Sequence, residues 1–164
     1  MVDTPSATAA ALSTSDPTVL RADADPADAL AFLESRQYGV APVRTEAGAA
    51  VGYVAAADLA AGDGNGALGD ELRGHAEPFE HVTVLRPDAD FRETLDALAR
   101  EPFCFVADGG EVDGVPEGVV TRTDLNSPAA FVHCYAVLFA FETRLRALVA
   151  ESDVDWETAL HTEQ

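Results

Sequence analysis

The sequence contains no lysine and no isoleucine, and the lack of lysine excludes whole classes of function. Without lysine the chain cannot carry the G-x-x-x-x-G-K-[ST] phosphate loop. All ten basic residues are arginines, against 29 acidic residues, which gives a formal net charge of −19. Non-specific DNA binding and binding to anionic membranes need a basic surface, so neither is expected. The missing isoleucine indicates the codon bias of a GC-rich genome.

The acidic excess has three interpretations. A disordered acidic tail needs a block of like charge, but here the acidic residues are spread between apolar runs. An acidic nucleic-acid mimic is an alternative. We favour a cytoplasmic protein of a salt-accumulating, halophilic prokaryote, because carboxylates keep a protein surface soluble in concentrated salt. At 1 M salt the Debye length is only about 3 Å, which mutes the repulsion between those carboxylates.

Cysteine and long apolar runs are also scarce. Cys104 and Cys134 lie in apolar segments, so both are predicted to be reduced and buried. The chain does not open on a basic region followed by an apolar one, so no export signal is expected. The longest apolar stretch, near residues 131–141, is too short to span a bilayer. The histidines lack metal-ligand spacing and no nucleophile signature is present, which favours a protein that is not an enzyme and requires no cofactor.

The sequence does contain an internal repeat of two copies. Residues 18–33 read TVLRADADPADALAFL and residues 83–98 read TVLRPDADFRETLDAL, with nine of sixteen positions identical. Further along, GYVAAADL at 52–59 aligns with GVVTRTDL at 118–125. Internal repetition of this kind decides a fold before any single motif does.

Both copies predict the same order of elements. A short strand leads to a helix capped by Asp25 or Asp90, then come a second strand, a turn, and a third strand that runs into a short helix near Asp58 or Asp124. The first three elements are predicted at 18–21, 26–36 and 40–44, and again at 83–86, 91–100 and 103–107. One β-α-β-β-α unit covers only one face of its sheet. Two units are therefore predicted to pack sheet against sheet about a pseudo-twofold axis, which leaves two clefts between them.

This doubled unit resembles the CBS-domain pair, also called the Bateman module. The resemblance covers roughly residues 16–125 and rests on the repeated element order, on YGVAPV at 38–43, and on the Gly-h-h-Thr-x-x-Asp-Leu pattern at 118–125. It implies an α/β (α+β) fold of tandem repeats, with repeat one at 16–73 and repeat two at 74–127. It also implies a regulatory module that binds AMP, ADP, ATP or S-adenosylmethionine in an inter-repeat cleft and signals to an effector protein. AMP or ATP is the leading ligand.

The second copy of the pattern carries the expected ligand site. The Asp124 carboxylate can accept from both ribose hydroxyls, the Thr121 hydroxyl can donate to a ribose or phosphate oxygen, and Arg122 can neutralise a phosphate. The following helix offers backbone donors at its N-terminus. The resemblance implies adenine contacts at Val82, Thr83, Val84 and Phe103. The structural alternatives are a helix cap for Asp124 and an ordinary strand position for Thr121.

Repeat one departs from this pattern. Ala55 stands at the position of Thr121, so the hydroxyl is missing, whereas Asp58 remains as a further candidate. We expect Asp58 to cap a helix and the first cleft to be weaker or empty. A ligand-free CBS scaffold for dimerisation or protein interaction is the alternative function.

The two ends of the chain lie outside the repeats. Residues 1–15 are predicted to be disordered or loosely attached. Residues 128–164 are predicted to form a helical extension, with Ser127 as its cap, Pro128 in its first turn and a long helix to residue 149. That helix is apolar nearly all round, which is typical of a buried helix. It packs on its own repeats or, as we favour, pairs in a homodimer that also uses the CBS faces. Another short helix is predicted near Trp156.

Overall fold

The computed structural model describes residues 7–62, 71–110, 112 and 114–152. Two sheets and five α-helices make up this part of the chain. Its strands are β1 (Thr14–Ser15), β2 (Leu20–Arg21), β3 (Val40–Arg44), β4 (Ala50–Ala55), β5 (Val84–Leu85), β6 (Phe103–Val106) and β7 (Gly118–Thr121). Its helices are α1 (Ala9–Leu12), α2 (Pro26–Arg36), α3 (Ala56–Ala61), α4 (Phe91–Arg100) and α5 (Pro128–Glu151). The mixed α+β fold and the C-terminal helix predicted from the sequence are confirmed.

The two repeated helices begin where their caps predict. The Asp25 carboxylate accepts from the N–H groups of Ala27 and Asp28, at 2.8 and 3.1 Å, and α2 starts at the next residue. The Asp90 carboxylate accepts from the N–H of Glu93 at 2.8 Å, and α4 starts likewise. Each cap supplies an acceptor to backbone donors that have no partner inside the helix.

The strand pairings repeat from one sheet to the other. In the first sheet β2 runs parallel to β3, which is antiparallel to β4. In the second sheet β5 runs parallel to β6, β6 is antiparallel to β7, and β1 is added antiparallel to β7. Val40 pairs with Ala55 in the first sheet, as Phe103 pairs with Thr121 in the second. The register therefore confirms that Ala55 and Thr121 occupy equivalent positions.

Three apolar clusters hold these layers together. One face of the first sheet packs on α2, with Leu33 and Val43 fully buried between them. One face of the second sheet packs on α4 and on the start of α5, around Leu98 and Val120. The remaining faces meet each other through a third cluster that contains buried Tyr53, Val40 and Phe105. The two repeats therefore face each other sheet against sheet, as predicted.

The two glycines of the repeated pattern lie where another chain segment crosses the sheet. Tyr53 exchanges two backbone hydrogen bonds with Glu77, at 2.9 and 2.8 Å, beside Gly52. A Cβ on Gly52 would come within 2.1 Å of the Glu77 carbonyl oxygen. A Cβ on Gly118 would come within 2.7 Å of the Ser13 hydroxyl. Glycine is needed at both sites because backbone or side chain passes directly over the strand.

The N-terminal segment is packed rather than loose within residues 7–15. Ala7, Ala9 and Leu12 are buried in the core under the second sheet. β1 then pairs with β7, which aligns Thr14 with Val119. The prediction of a loosely attached segment is wrong for these residues, because apolar side chains and a strand pairing anchor them. Residues 1–6 of that prediction lie outside the described part of the chain.

The two cysteines have different surroundings. Cys104 is fully buried, and burial, with a smaller contribution from Glu101, raises the pKa of its thiol to about 11. Cys134 is exposed on α5, so the prediction that it is buried is wrong. Nothing in a local apolar sequence distinguishes a helix face that packs inside the chain from one that does not.

Helix α5 leaves the body of the protein soon after it starts. The Ser127 hydroxyl accepts from the N–H of Ala130 at 3.4 Å, and Pro128 occupies the first turn as predicted. Ala130 is buried, whereas every residue from 137 to 151 is exposed. The start of α5 therefore packs on the second repeat, whereas packing on the repeats is excluded for residues 137–151. Among them, no helix is both long enough and apolar enough to cross a bilayer. The helix predicted near Trp156 lies outside the described residues.

Candidate functional site

A cleft of about 610 Å³ opens between the two repeats. One side comes from the second repeat, through Thr121, Asp124 and Phe103. The other side comes from the first repeat, and the N-terminal segment from β1 onwards adds further residues to the lining. The residues contributed there are Thr14, Asp16, Pro17, Thr18, Gln37, Tyr38, Gly39, Val40, Ala55, Ala56 and Ala57. The pairing of β1 with β7 carries this N-terminal segment across to the second repeat.

Thr121 and Asp124 form one hydrogen-bonded unit at the wall of the cleft. Asp124 Oδ2 accepts from the Thr121 N–H at 2.7 Å and from the Thr121 hydroxyl at 2.8 Å. Thr121 Oγ1 in turn accepts from the N–H of Thr123 at 3.2 Å. This is a capping box at the start of the 3₁₀ helix Arg122–Asn126. Asp124 therefore has a capping role, as its structural alternative predicted, and it also lines the cleft.

The other predicted site residues divide into those in the cleft and those outside it. Phe103 lines the cleft. Arg122 does not, because its Nε donates to the carbonyl of Leu98 at 2.9 Å and thereby turns towards α4. Asp58 is exposed in the first turn of α3, outside the cleft wall. The N-cap of α3 is Ala55, which has no capping side chain, so the prediction that Asp58 caps this helix is wrong.

The segment Val82, Thr83 and Val84 also lies outside the cleft that contains Asp124. Val82 and Val84 pack into the aromatic cluster between the sheets, where the ring centroids of Phe79 and Phe105 lie 5.2 Å apart. Within the part of the chain described, the residues expected to touch adenine on this side thus pack against protein. The sequence predicted that Asp124 and this segment form one ligand site. In the structure, Asp124 instead shares its cleft with residues of the first repeat.

Thr83 is held by the carboxylate of Glu101. Glu101 accepts from the Thr83 N–H at 2.8 Å and from the Thr83 hydroxyl at 2.8 Å. Thr18 is the residue that aligns with Thr83 in the first repeat, and it is exposed in the cleft wall. No described residue provides Thr18 with a carboxylate in this way. The repeats therefore differ at equivalent positions. Thr83 of the second repeat is bonded to a carboxylate of its own repeat, whereas Thr18 of the first repeat faces the cleft.

Comparison with solved structures identifies this architecture. A CBS domain protein from Streptococcus pneumoniae TIGR4 superimposes with a TM-score of 0.55 at 22% identity, over 89% of this chain and 87% of its own. A conserved CBS domain protein of unknown function from Thermoplasma acidophilum gives a TM-score of 0.59 at 16% identity, over 80% and 76%. A CBS domain-containing protein from Bacillus anthracis gives 0.58 at 19%, over 72% and 88%.

The chain has the CBS-domain fold. No protein-family model and no curated protein matches the sequence. The fold assignment therefore rests on the likeness to solved structures, in which the chain matches CBS domain proteins.

Among the cleft residues that were not predicted from the sequence, two have an unusual backbone conformation. Asp16 and Gln37 have φ angles of 51° and 58°, and among the described residues they are the non-glycine positions in the left-handed region. Such backbone costs of order 1–3 kcal/mol and is concentrated at functional sites. Both residues line the cleft. Gln37 ends α2 at a position where glycine is usual, and that departure was the available signal.

Proposed function

We propose that the protein is a regulatory CBS module that binds an adenosine-containing ligand in the cleft and passes the binding event to a partner in the cytoplasm. The observation that carries this proposal is the cleft itself, which joins Thr121 and Asp124 of the second repeat to Gln37 of the first, with Asp16 also in its wall. Its volume of about 610 Å³ lies within the 300–1,000 Å³ range of small-molecule sites.

The side chains around the cleft suit a nucleoside. Only Oδ2 of Asp124 is committed to the capping box, so Oδ1 is available as an acceptor for a ribose hydroxyl. Tyr38, which is 42% exposed, and Phe103 supply aromatic surface for a base. Gln37 adds an amide with both a donor and an acceptor. The proposed role is binding and signalling without catalysis.

The position of the cleft explains how binding could be transmitted. Its walls belong to different repeats, so a ligand that contacts both walls stabilises one arrangement of the repeats over others. A ligand shifts an equilibrium only by its difference in affinity for the two arrangements. A partner that contacts both repeats would respond to the same difference.

Thermal unfolding with adenosine, AMP, ADP, ATP and S-adenosylmethionine tests the binding. A ligand present at 100 times its dissociation constant adds about 2.7 kcal/mol to the free energy of unfolding. The Asp124→Asn variant keeps an oxygen acceptor for the cap but loses the charge, and we expect it to weaken binding at least about tenfold. The Asp58→Asn variant makes the same change at the matching position of repeat one, and its binding should equal that of the wild type.

No stabilisation by any of the five ligands, in low or high salt, would contradict this function. Equal losses in the Asp124→Asn and Asp58→Asn variants would also contradict the assigned site. Circular dichroism of each variant establishes that the fold is retained before binding is compared.

A second candidate function, assembly through α5, is favoured by the exposed surface of that helix. Tyr135, Leu138 and Phe139 are 72%, 60% and 71% exposed. Large apolar side chains exposed along the same helix are Phe131, Val132, Tyr135, Val137, Leu138, Phe139, Phe141, Leu145, Leu148 and Val149. Monomers rarely expose a contiguous apolar patch larger than a few hundred Å², so large apolar side chains exposed in succession along one helix indicate a protein–protein contact.

We infer that the occupant of this surface is α5 of a second copy. Helix α5 contains two acidic residues and two arginines, so the formal net charge of −19 lies entirely outside it. Arg146 is paired within the helix to Glu142 at 2.6 Å. The helix is therefore the neutral part of a strongly acidic chain, and it is where two copies can approach with least repulsion.

Light scattering after size-exclusion chromatography tests this assembly. We expect the wild type to have twice the mass of one chain and the Leu138→Glu variant the mass of one. Ala140→Glu is the matched control, because residue 140 lies about 200° around the helix from residue 138. A monomeric wild type, or equal behaviour of the two variants, would overturn the inference.

A further inference from the structure

The cleft has an unusual balance of charge for a nucleotide site. Two of the residues that line it, Asp16 and Asp124, carry carboxylates. Among the described residues of the lining, none is an arginine or a histidine, and the chain contains no lysine. Arg122, the residue expected to neutralise a phosphate, donates instead to the Leu98 carbonyl. A phosphate in this cleft would meet negative charge without a cation from the wall.

We propose that the cleft selects among adenosine-containing ligands by charge: it binds those with a neutral or cationic group at the 5′ position and rejects 5′-phosphates. This inference rests on the proposed function and narrows it. It departs from the sequence-based expectation, in which AMP or ATP led.

Three backbone donors beside the cleft already have acceptors. The Thr121 N–H donates to Asp124, and the Thr123 N–H donates to the Thr121 hydroxyl oxygen. At the matching place in repeat one, the Ala56 N–H donates to the Gly39 carbonyl at 2.9 Å. A phosphate site without a basic side chain relies on free N–H groups. These N–H groups are occupied, so they do not form such a site.

The Thr121 hydroxyl hydrogen is also in use. It is directed at Asp124 Oδ2 over 2.8 Å, and this bond to a carboxylate is stronger than one between neutral groups. The hydroxyl would have to give up that bond to serve a phosphate. Sequence reasoning counted this hydroxyl as a phosphate donor, whereas the capping box directs it to the protein.

The polar groups that remain suit an uncharged or positive ligand. Gln37 offers a neutral amide, and the hydroxyls of Tyr38 and Thr18 are neutral as well. The Asp16 and Asp124 carboxylates accept from hydroxyl or ammonium donors and attract a positive centre. Asp16 is exposed and Asp124 is half-buried, so the field of Asp124 is the less screened of the two. The formal net charge of −19 adds a long-range repulsion against anions in dilute salt.

Isothermal titration with a charge series on one nucleoside tests the inference. Adenosine, S-adenosylmethionine, AMP and ATP are titrated into the full chain in EDTA, at about 0.1 M and about 1 M salt. We expect adenosine and S-adenosylmethionine to bind at least about tenfold more tightly than AMP, and AMP more tightly than ATP. The gap should narrow in the higher salt, because screening weakens the repulsion.

The Asp16→Asn variant adds a test at one residue. Removal of this charge should lower the ratio of the dissociation constant for AMP to that for adenosine by about threefold or more. Asp96→Asn on the exposed face of α4 removes the same charge outside the cleft and should leave the ratio unchanged.

The outcomes separate this inference from the proposed function. Binding of AMP or ATP as tight as that of adenosine, in either salt or after Mg²⁺ is added, would overturn selection by charge and leave the proposed function standing. Absence of binding by all four ligands would instead remove the proposed function, and the charge selection with it.

Discussion

Gln37 combines a backbone cost with a position in the cleft. Its φ of 58° places a long side chain in a conformation that glycine adopts without strain. The same residue closes α2, where its N–H donates to the carbonyls of Glu34 and Leu33. A residue retained at such a cost is expected to serve the cleft rather than the helix.

Replacement of Gln37 by glycine should separate these two roles. We expect Gln37→Gly to raise the free energy of unfolding by up to about 1 kcal/mol, because strain is relieved, and to weaken ligand binding because the amide is lost. Urea unfolding and titration with adenosine measure the two effects. Gln37→Asn is the control, since asparagine tolerates this φ and keeps an amide. A loss of stability in Gln37→Gly would show that the side chain supports the fold.

At the level of single residues, the sequence predicted which residues belong to the site better than it predicted where their side chains point. Thr121 and Asp124 could be assigned because the pattern that contains them occurs twice. The direction of Arg122 could not, because it depends on a carbonyl of α4 that is distant in the chain. Asp16 carries no local signal beyond its residue type, and its place in the cleft follows from tertiary pairing.

The strand β4 depends on a glycine that lets another segment cross it. Tyr53 and Glu77 bond backbone to backbone over this point, which ties the segment after repeat one to the sheet of that repeat. Gly52 has a φ of 151°, and a Cβ there would meet the Glu77 carbonyl. The clash is with backbone, so it cannot be relieved by rotation of a side chain.

Gly52→Ala should therefore lower the free energy of unfolding by about 3 kcal/mol or more. Urea unfolding followed by circular dichroism measures the loss, and a variant without a cooperative transition counts as the same result. Gly39→Ala is the control, because nothing lies within 4 Å of a Cβ at residue 39. Equal stabilities of the two variants would refute the claim that the Glu77 backbone requires glycine at residue 52.

Elements with their own boundary signals were predicted well. The helices α2 and α4 begin at the predicted residues because an aspartate caps the N-terminus of each one, and they also end at the predicted residues. The strand β1 was missed because it has two residues and exists only through its pairing with β7. The exposure of α5 was also beyond local reasoning, since an apolar helix face looks the same whether it is covered within the chain or by another molecule.

The molecule as a whole carries far more negative than positive charge. The net charge of −19 is spread over exposed side chains, and several exposed arginines are paired to neighbouring acids, as Arg86 is to Asp88 at 3.0 Å. Pairs of this kind contribute little to stability, so they do not offset the repulsion of the remaining carboxylates. The repulsion should be screened by salt.

An increase in salt from about 0.1 M to 1 M should raise the melting temperature by more than about 5 °C, equivalent to roughly 1–2 kcal/mol. Calorimetry in sodium chloride measures the rise. Near pH 4, where aspartate and glutamate titrate, the same increase in salt should have a smaller effect because fewer carboxylates are charged. A rise of equal size at both pH values would attribute the stabilisation to hydration of apolar surface rather than to screening.

The carboxylate of Glu101 makes the two halves of the molecule mechanically unequal. The packed rings of Tyr53, Phe79 and Phe105 fasten the two sheets to each other, and Glu101 holds Thr83 within the second repeat. A small molecule that enters beside Thr18 would press on one edge alone. The fastened edge would then serve as the pivot, and occupancy would be converted into a tilt of one repeat against the other.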